Sequence, residues 1–199
     1  MTASGSALQF TVTLQDISPK IWRQIVVPTA YSFWDLHVAV QDAMGWTDSH
    51  LHLFRVKNPS TGKIDEIGIP GDEDWSQPCL AGWEVSIQQY FTKKGAKAKY
   101  EYDFGDDWQH VLVLDAIIEG PKPRKRPVCL DGARACPPED CGGVHGYQEM
   151  VRILKDPSDQ EYEEMLEWVG SGYDPDHFDK KEVRFDNPRT RLKFVLEDR

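Results

Sequence analysis

The sequence predicts an α+β fold: a mostly antiparallel sheet built from hairpins, with helices packed on one face, in a single compact unit of 199 residues. Three observations predict it. Apolar and polar side chains alternate at period two through most of residues 1–119, as strands with one wet face require. From Tyr147 onward the apolar spacing changes to three and four, the period of helices buried along one stripe. Between the two regions, EGPKPRKRPV sets Lys122, Arg124, Lys125 and Arg126 among prolines, a composition that stays extended and solvated. Strands first and helices after them favour α+β over the interleaved pattern of a parallel sheet. The chain therefore divides into a β-rich part (1–119), a Pro/basic connector (120–128), and a loop with helices (129–199).

Each element has its own justification. ALQFTVTLQ places Leu8, Phe10, Val12 and Leu14 on one face, and IWRQIVV, beyond the turn residues Ser18 and Pro19, pairs back to close a hairpin. Ser32 with Asp35 makes an N-terminal cap for FWDLHVAVQDAMG, in which Phe33, Leu36, Val40 and Ala43 share a face and Gly45 ends the helix. SHLHLFRV and IDEIGI flank the turn NPSTGK; PGDEDWSQPCLAG reads as an acidic loop. KYEYDF and WQHVLVLDAII bracket a Gly-Asp turn and form a long hairpin with an exposed tip. YQEMVRILKD and SDQEYEEMLEWVG are helices, DPDHFDKKEV is a turn with a short helix or strand, and PRTRLKFVLED is a final helix.

Composition narrows function. No apolar run approaches the roughly 18 residues that span a bilayer, so no membrane association is expected. The opening MTASGSALQFTVTLQ lacks a basic leader and an apolar core, which predicts a cytoplasmic location. A net charge of −10 repels a phosphate backbone and disfavours direct DNA binding, leaving a protein or a small polar ligand as the expected partner. Four cysteines are too few for a disulfide scaffold in a chain of this length and are expected as thiols. No phosphate loop, dinucleotide fingerprint, GxSxG elbow or HExxH is present.

Three constellations carry candidate chemistry. CLDGARACPPEDCGGVHGY holds Cys129, Cys136 and Cys141 with His145 nearby, enough thiolate and imidazole for a zinc brace, although the spacing is not that of a common finger. The same segment also reads as a loop stiffened by Pro137, Pro138, Gly142 and Gly143 over buried thiols. A nucleophilic thiol is less favoured, because Glu139 and Asp140 beside it raise its pKa. His50 and His52 fall on one strand face, with His37 within reach as a third metal ligand, or are simply buried histidines. Finally, YEYDFGDDWQH offers Asp103, Asp106, Asp107 and His110 around one hairpin, and Asp106, Trp108 and His110 with Arg134, Glu139 and Asp140 would line a polar cleft; the plainer reading is a solvated turn with Trp108 in the core.

Five segments, ISPKIWRQIVVP, FWDLHVAVQDAMGWTDSHLHLF, YEYDFGDDWQH, CLDGARACPPEDCGGVHGY and EYEEMLEWVGSGYDPDHFD, resemble in that order the Ri-plasmid ORF-three-like family, from about Phe10 to Phe185. The resemblance implies an α+β domain of unassigned biochemical function, some of whose members are labelled TnpR-like transposon passengers or resolvases. The residues do not support a resolvase: Ser4, Ser6, Ser18 and Ser32 have no arginine cluster about them, and Tyr173 lacks the setting of a tyrosine recombinase. The first expectation is a non-enzymatic binding or interaction module with its cleft between FGDDWQH and CPPEDCGG, with zinc as its candidate cofactor. The second is a hydrolase using His110 with Asp106 or Glu139, with or without a metal. The third is a nucleic-acid accessory role resting on the basic connector.

Overall fold

A computed structural model describes residues 7–71 and 79–197. Its centre is an eight-stranded sheet in the order β5-β4-β3-β6-β7-β1-β2-β8, antiparallel at every junction except β4 with β5. The strands are β1 (Ala7–Leu14), β2 (Trp22–Pro28), β3 (His52–Lys57), β4 (Ile64–Gly68), β5 (Leu80–Ala81), β6 (Lys97–Tyr102), β7 (Trp108–Ile118) and β8 (Val128–Ala133). The helices are α1 (Phe33–Met44), α2 (Gly143–Leu154), α3 (Tyr162–Val169) and α4 (Pro188–Glu197). Among the described residues no helix is long and apolar enough to cross a membrane.

Period-two alternation fixes which sheet face is dry. Leu8, Phe10, Val12 and Leu14 of β1 are buried with Tyr100 and Tyr102 of β6 and Leu112 and Leu114 of β7, and α1 covers them with Phe33, Leu36, Val40 and Ala43. The opposite face is polar and pairs with itself: Thr11 donates to Asp115 at 2.7 Å, and Arg55 bridges Glu66 (2.8 Å) and Glu101 (2.5 Å). Helix α1 begins where the sequence places it. The Ser32 hydroxyl accepts from the Asp35 amide, the Asp35 carboxylate accepts from the Ser32 amide, and Gly45 at φ 105° closes the far end. Its second side is covered by α4, through Trp34 Nε1 donating to Pro188 O (2.9 Å) and Arg191 pairing with Asp42 (2.5 Å).

Four expectations need correction or qualification. Residues 128–133, read as the end of the connector and the start of a loop, form β8 at the sheet edge, where Ile25 faces Cys129 and Arg23 faces Gly132. A Cβ on Gly132 would lie 2.6 Å from the Phe178 ring and 2.8 Å from Trp22 O, so that glycine marks close packing of the strand rather than a loop. Helix α2 starts at Gly143, four residues before Tyr147, with Gly142 in the left-handed region at its head. Residues 174–183 form neither helix nor strand, because Asp174 and Asp179 accept the amides of Asp176 and Lys181 and lock local turns. Most of the acidic loop at 70–82 lies outside the described residues; the connector cations, by contrast, are exposed as expected.

Candidate functional site

Three segments distant in sequence meet at the tip of the β6–β7 hairpin: residues 46–50 after α1, the hairpin turn at 103–107, and the thiol segment at 136–142. Trp46 is the post between them. Gly45 turns the chain so that Trp46 is buried against Tyr102 (5.0 Å between ring centroids), His110 (5.3 Å) and Trp108 (5.9 Å), while its Nε1 donates to Pro137 O at 2.9 Å. Glu139 is held by the amide of Thr47 (2.8 Å) and the hydroxyl of Tyr102 (3.0 and 3.1 Å). Burial, and then the Glu139 charge, raise the Tyr102 pKa and keep it a neutral donor. Asp106 accepts the Gly142 amide at 3.2 Å, and Gly143 lies so close that a Cβ there would be 2.4 Å from Asp106 O. The thiol segment is thus folded onto the hairpin tip.

Within this junction His50, Asp103 and Asp140 each present a donor atom, all within 4.8 Å of one another. His50 Nε2 is 3.1 Å from Asp140 Oδ1 and 3.6 Å from Asp103 Oδ2, with Glu139 Oε2 at 3.9 Å. A tetrahedron with metal–ligand bonds of about 2.1 Å has edges of roughly 3.4 Å, and the two shorter separations bracket that length. Nε2 is shielded from solvent and makes no hydrogen bond among the described residues, so the carboxylates flank its axis rather than lie along it. Asp103 is buried at φ 56°, with Oδ1 accepting the Gly105 amide (2.9 Å), which leaves Oδ2 turned to His50. One imidazole with two carboxylates is a donor set suited to a divalent ion such as zinc or manganese.

The remaining candidates are placed elsewhere. Trp108 and His110, expected to face a ligand, point into the core at 0% and 1% exposure, because their strand face is the one α1 covers. His110 Nδ1 faces the Trp108 (3.1 Å) and Tyr100 (3.3 Å) carbonyls, and burial lowers its pKa to about 4. Arg134 pairs with Asp176 instead of joining Glu139. The ligand atoms of Cys129, Cys136, Cys141 and His145 are not gathered in threes: among the described residues the sole trio within 4.8 Å of one another is the one at His50. Cys129 lies buried on β8 and His145 is exposed on α2. Burial also pushes the thiols up, Cys141 to about 12, which is the wrong direction for a nucleophile.

His37 and His52 do meet, stacked at 3.5 Å between centroids, but His37 is engaged by Tyr100 OH (2.9 Å) and Asp48 (2.7 Å), and among the described residues His50 converges with Asp103 and Asp140 instead. Sequence reasoning named Asp103 among the hairpin carboxylates but did not join it to His50, and it missed Trp46 as the post. The signal for Trp46 was an apolar residue immediately after a helix-ending glycine.

The sequence profile of the plasmid pRiA4b ORF-3-like protein matches residues 6–182. The chain belongs to the plasmid pRiA4b ORF-3-like family. The ORF-3-like chain is 38% identical over 168 residues to the uncharacterized protein y4hQ of Sinorhizobium fredii, covering 84% of this chain and 82% of that one. The crystal structure of MM3350 from Methanosarcina mazei, a protein of unknown function, superposes with a TM-score of 0.82 at 42% identity, covering 90% of the ORF-3-like chain and 98% of MM3350.

Proposed function

We propose that this chain is a non-enzymatic binding module that holds a divalent cation at His50, Asp103 and Asp140, where the hairpin tip meets the CPPEDCGG loop. The observation that carries the reading is the convergence of those three donors, one from each of three separate segments, with both carboxylates at separations from His50 Nε2 close to a tetrahedral edge. A bound ion would tie the segments together, and a ligand that binds only the folded chain stabilises it by about 2.7 kcal/mol at a hundredfold excess over its dissociation constant. Titration calorimetry with Zn2+ and Mn2+ tests the proposal. One ion per chain is expected, with binding at least tenfold weaker in His50→Gln and Asp103→Asn and unchanged in Cys129→Ser. Equal binding by the wild type and both site variants would remove the reading.

A second reading, a metal-dependent hydrolase, is favoured by one observation: Asp140 is 73% exposed, so a trio of protein ligands there would leave a further position open to solvent. Glu139 would brace that site rather than act as its base, since its carboxylate is taken up by Thr47 and Tyr102. Turnover of simple ester or phosphoester substrates by metal-loaded protein, lost in Asp103→Asn, would favour hydrolysis over binding alone.

A further inference from the structure

Beside the cation site, and sharing Asp140 with it, α2 and α3 flank a groove of about 360 Å³. Its floor is Met150 of α2 with Met165 and Trp168 of α3, and its rim is Asp140, Glu161 and Glu164. The floor is apolar and open on its α3 side: Met150 is buried, but Trp168 is 52% exposed and no residue of α3 is fully buried. Methionines on such a floor adapt to side chains of different shapes, as surfaces that accept peptides do. No lining residue is a cation, and Glu163 and Glu167 extend the negative charge along α3. Arg152 on α2 does not neutralise it, being engaged by Glu149 and Asp159 at 2.8 Å each. An apolar trough under an uncompensated acidic rim attracts cations at its edges and an apolar group at its centre.

We infer that this groove docks a lysine- or arginine-rich segment of a partner protein, which lays one large apolar side chain against Met165 and Trp168, over the buried Met150. Charge complementarity selects this occupant over an acidic or neutral peptide, and the open trough suits a segment laid along it better than an enclosed small molecule. The exposed basic connector of a second copy, with Lys122, Arg124, Lys125 and Arg126, is the competing occupant.

The test is fluorescence anisotropy with three labelled decapeptides on the full chain: a Lys/Arg-rich peptide with a central leucine, the same peptide with serine in its place, and an acidic peptide with leucine. Saturable binding of the first is expected, weakening as salt is raised. Loss of at least tenfold is expected on the serine replacement, in Trp168→Ala, and in the double variant Glu161→Lys with Glu164→Lys, each with an unchanged melting temperature. Asp140 belongs to both sites, so the titrations are run in EDTA and repeated on His50→Gln. Peptide binding there survives even if the cation site proves wrong. Failure of the basic leucine peptide to bind, or equal binding by the wild type and the groove variants, would overturn the inference. Concentration-dependent self-association that disappears when the four connector cations are neutralised would make a second copy the occupant and overturn it as well.

Discussion

Acidification should destabilise this protein through His110, and the size of the loss follows from where the ring sits. Nδ1 faces two carbonyls, so the neutral ring carries its proton there, and the bare Nε2 points into the core without a partner. A second proton would have to sit on Nε2, in a ring packed against Trp46 and Tyr100, with no hydrogen-bond partner among the described residues. The folded ring therefore titrates near 4, whereas the unfolded one titrates near 6.5. Between those values the unfolded chain binds the extra proton. Stability is fully present above about pH 6.5 and falls as pH drops toward 4, by up to 1.4 kcal/mol per pH unit and about 3 kcal/mol in all. Other groups titrate in the same range; Asp42, pushed up to about 6 by burial against the pull of Arg191, contributes with the opposite sign. The measurement is accordingly a difference: urea midpoints of wild type and His110→Leu from pH 7.5 to 4.5. The wild type should lose about 2–3 kcal/mol more than the variant over that range. Parallel pH profiles would refute the reasoning.

Other consequences can be checked directly. Trp46→Ala removes the post between α1, the hairpin and the thiol segment and should cost about 3–5 kcal/mol by urea denaturation. Gly146→Ala puts a Cβ 1.8 Å from Cys141 O, so the first turn of α2 must shift; a loss of at least about 1–3 kcal/mol is expected, against little change for Gly172→Ala, where the space is open. In a Cys79→Ser background, Cys141 should react with an aromatic disulfide reagent at pH 8 on the order of a thousandfold more slowly than a free thiol, and urea should restore the rate.

Much of the fold was legible because strands and helices here bury one face each, and that writes a period into the sequence. Phe10, Val12 and Leu14 alternate, and Tyr147 and Met150 fall a helical turn apart, so β1 and α2 were readable from spacing alone. Strand β8 was not, since VCLDGA sits at an edge, buries only Cys129 fully and owes its form to pairing with β2. The site divides in the same way. Proximity of CPPEDCGG to the hairpin tip was inferred from stiffness and composition, yet which polar groups would converge was not. Among the described residues, Cys129, Cys136, Cys141 and His145 are neighbours along the chain without three of their ligand atoms converging, while His50, Asp103 and Asp140 lie on three separate segments and meet.

The sequence by itself determined the α+β class, the hairpins, the capped first helix and the family, because these depend on local periodicity and on motifs read in order. Only the tertiary structure decided that Trp108 and His110 belong to the core, that Asp103 turns toward His50, and that an acidic, apolar-floored groove opens between α2 and α3. The physical reason is that ligand geometry and burial depend on side chains brought together by sheet order and loop docking, and no spacing along the chain encodes the distance between residues 50, 103 and 140.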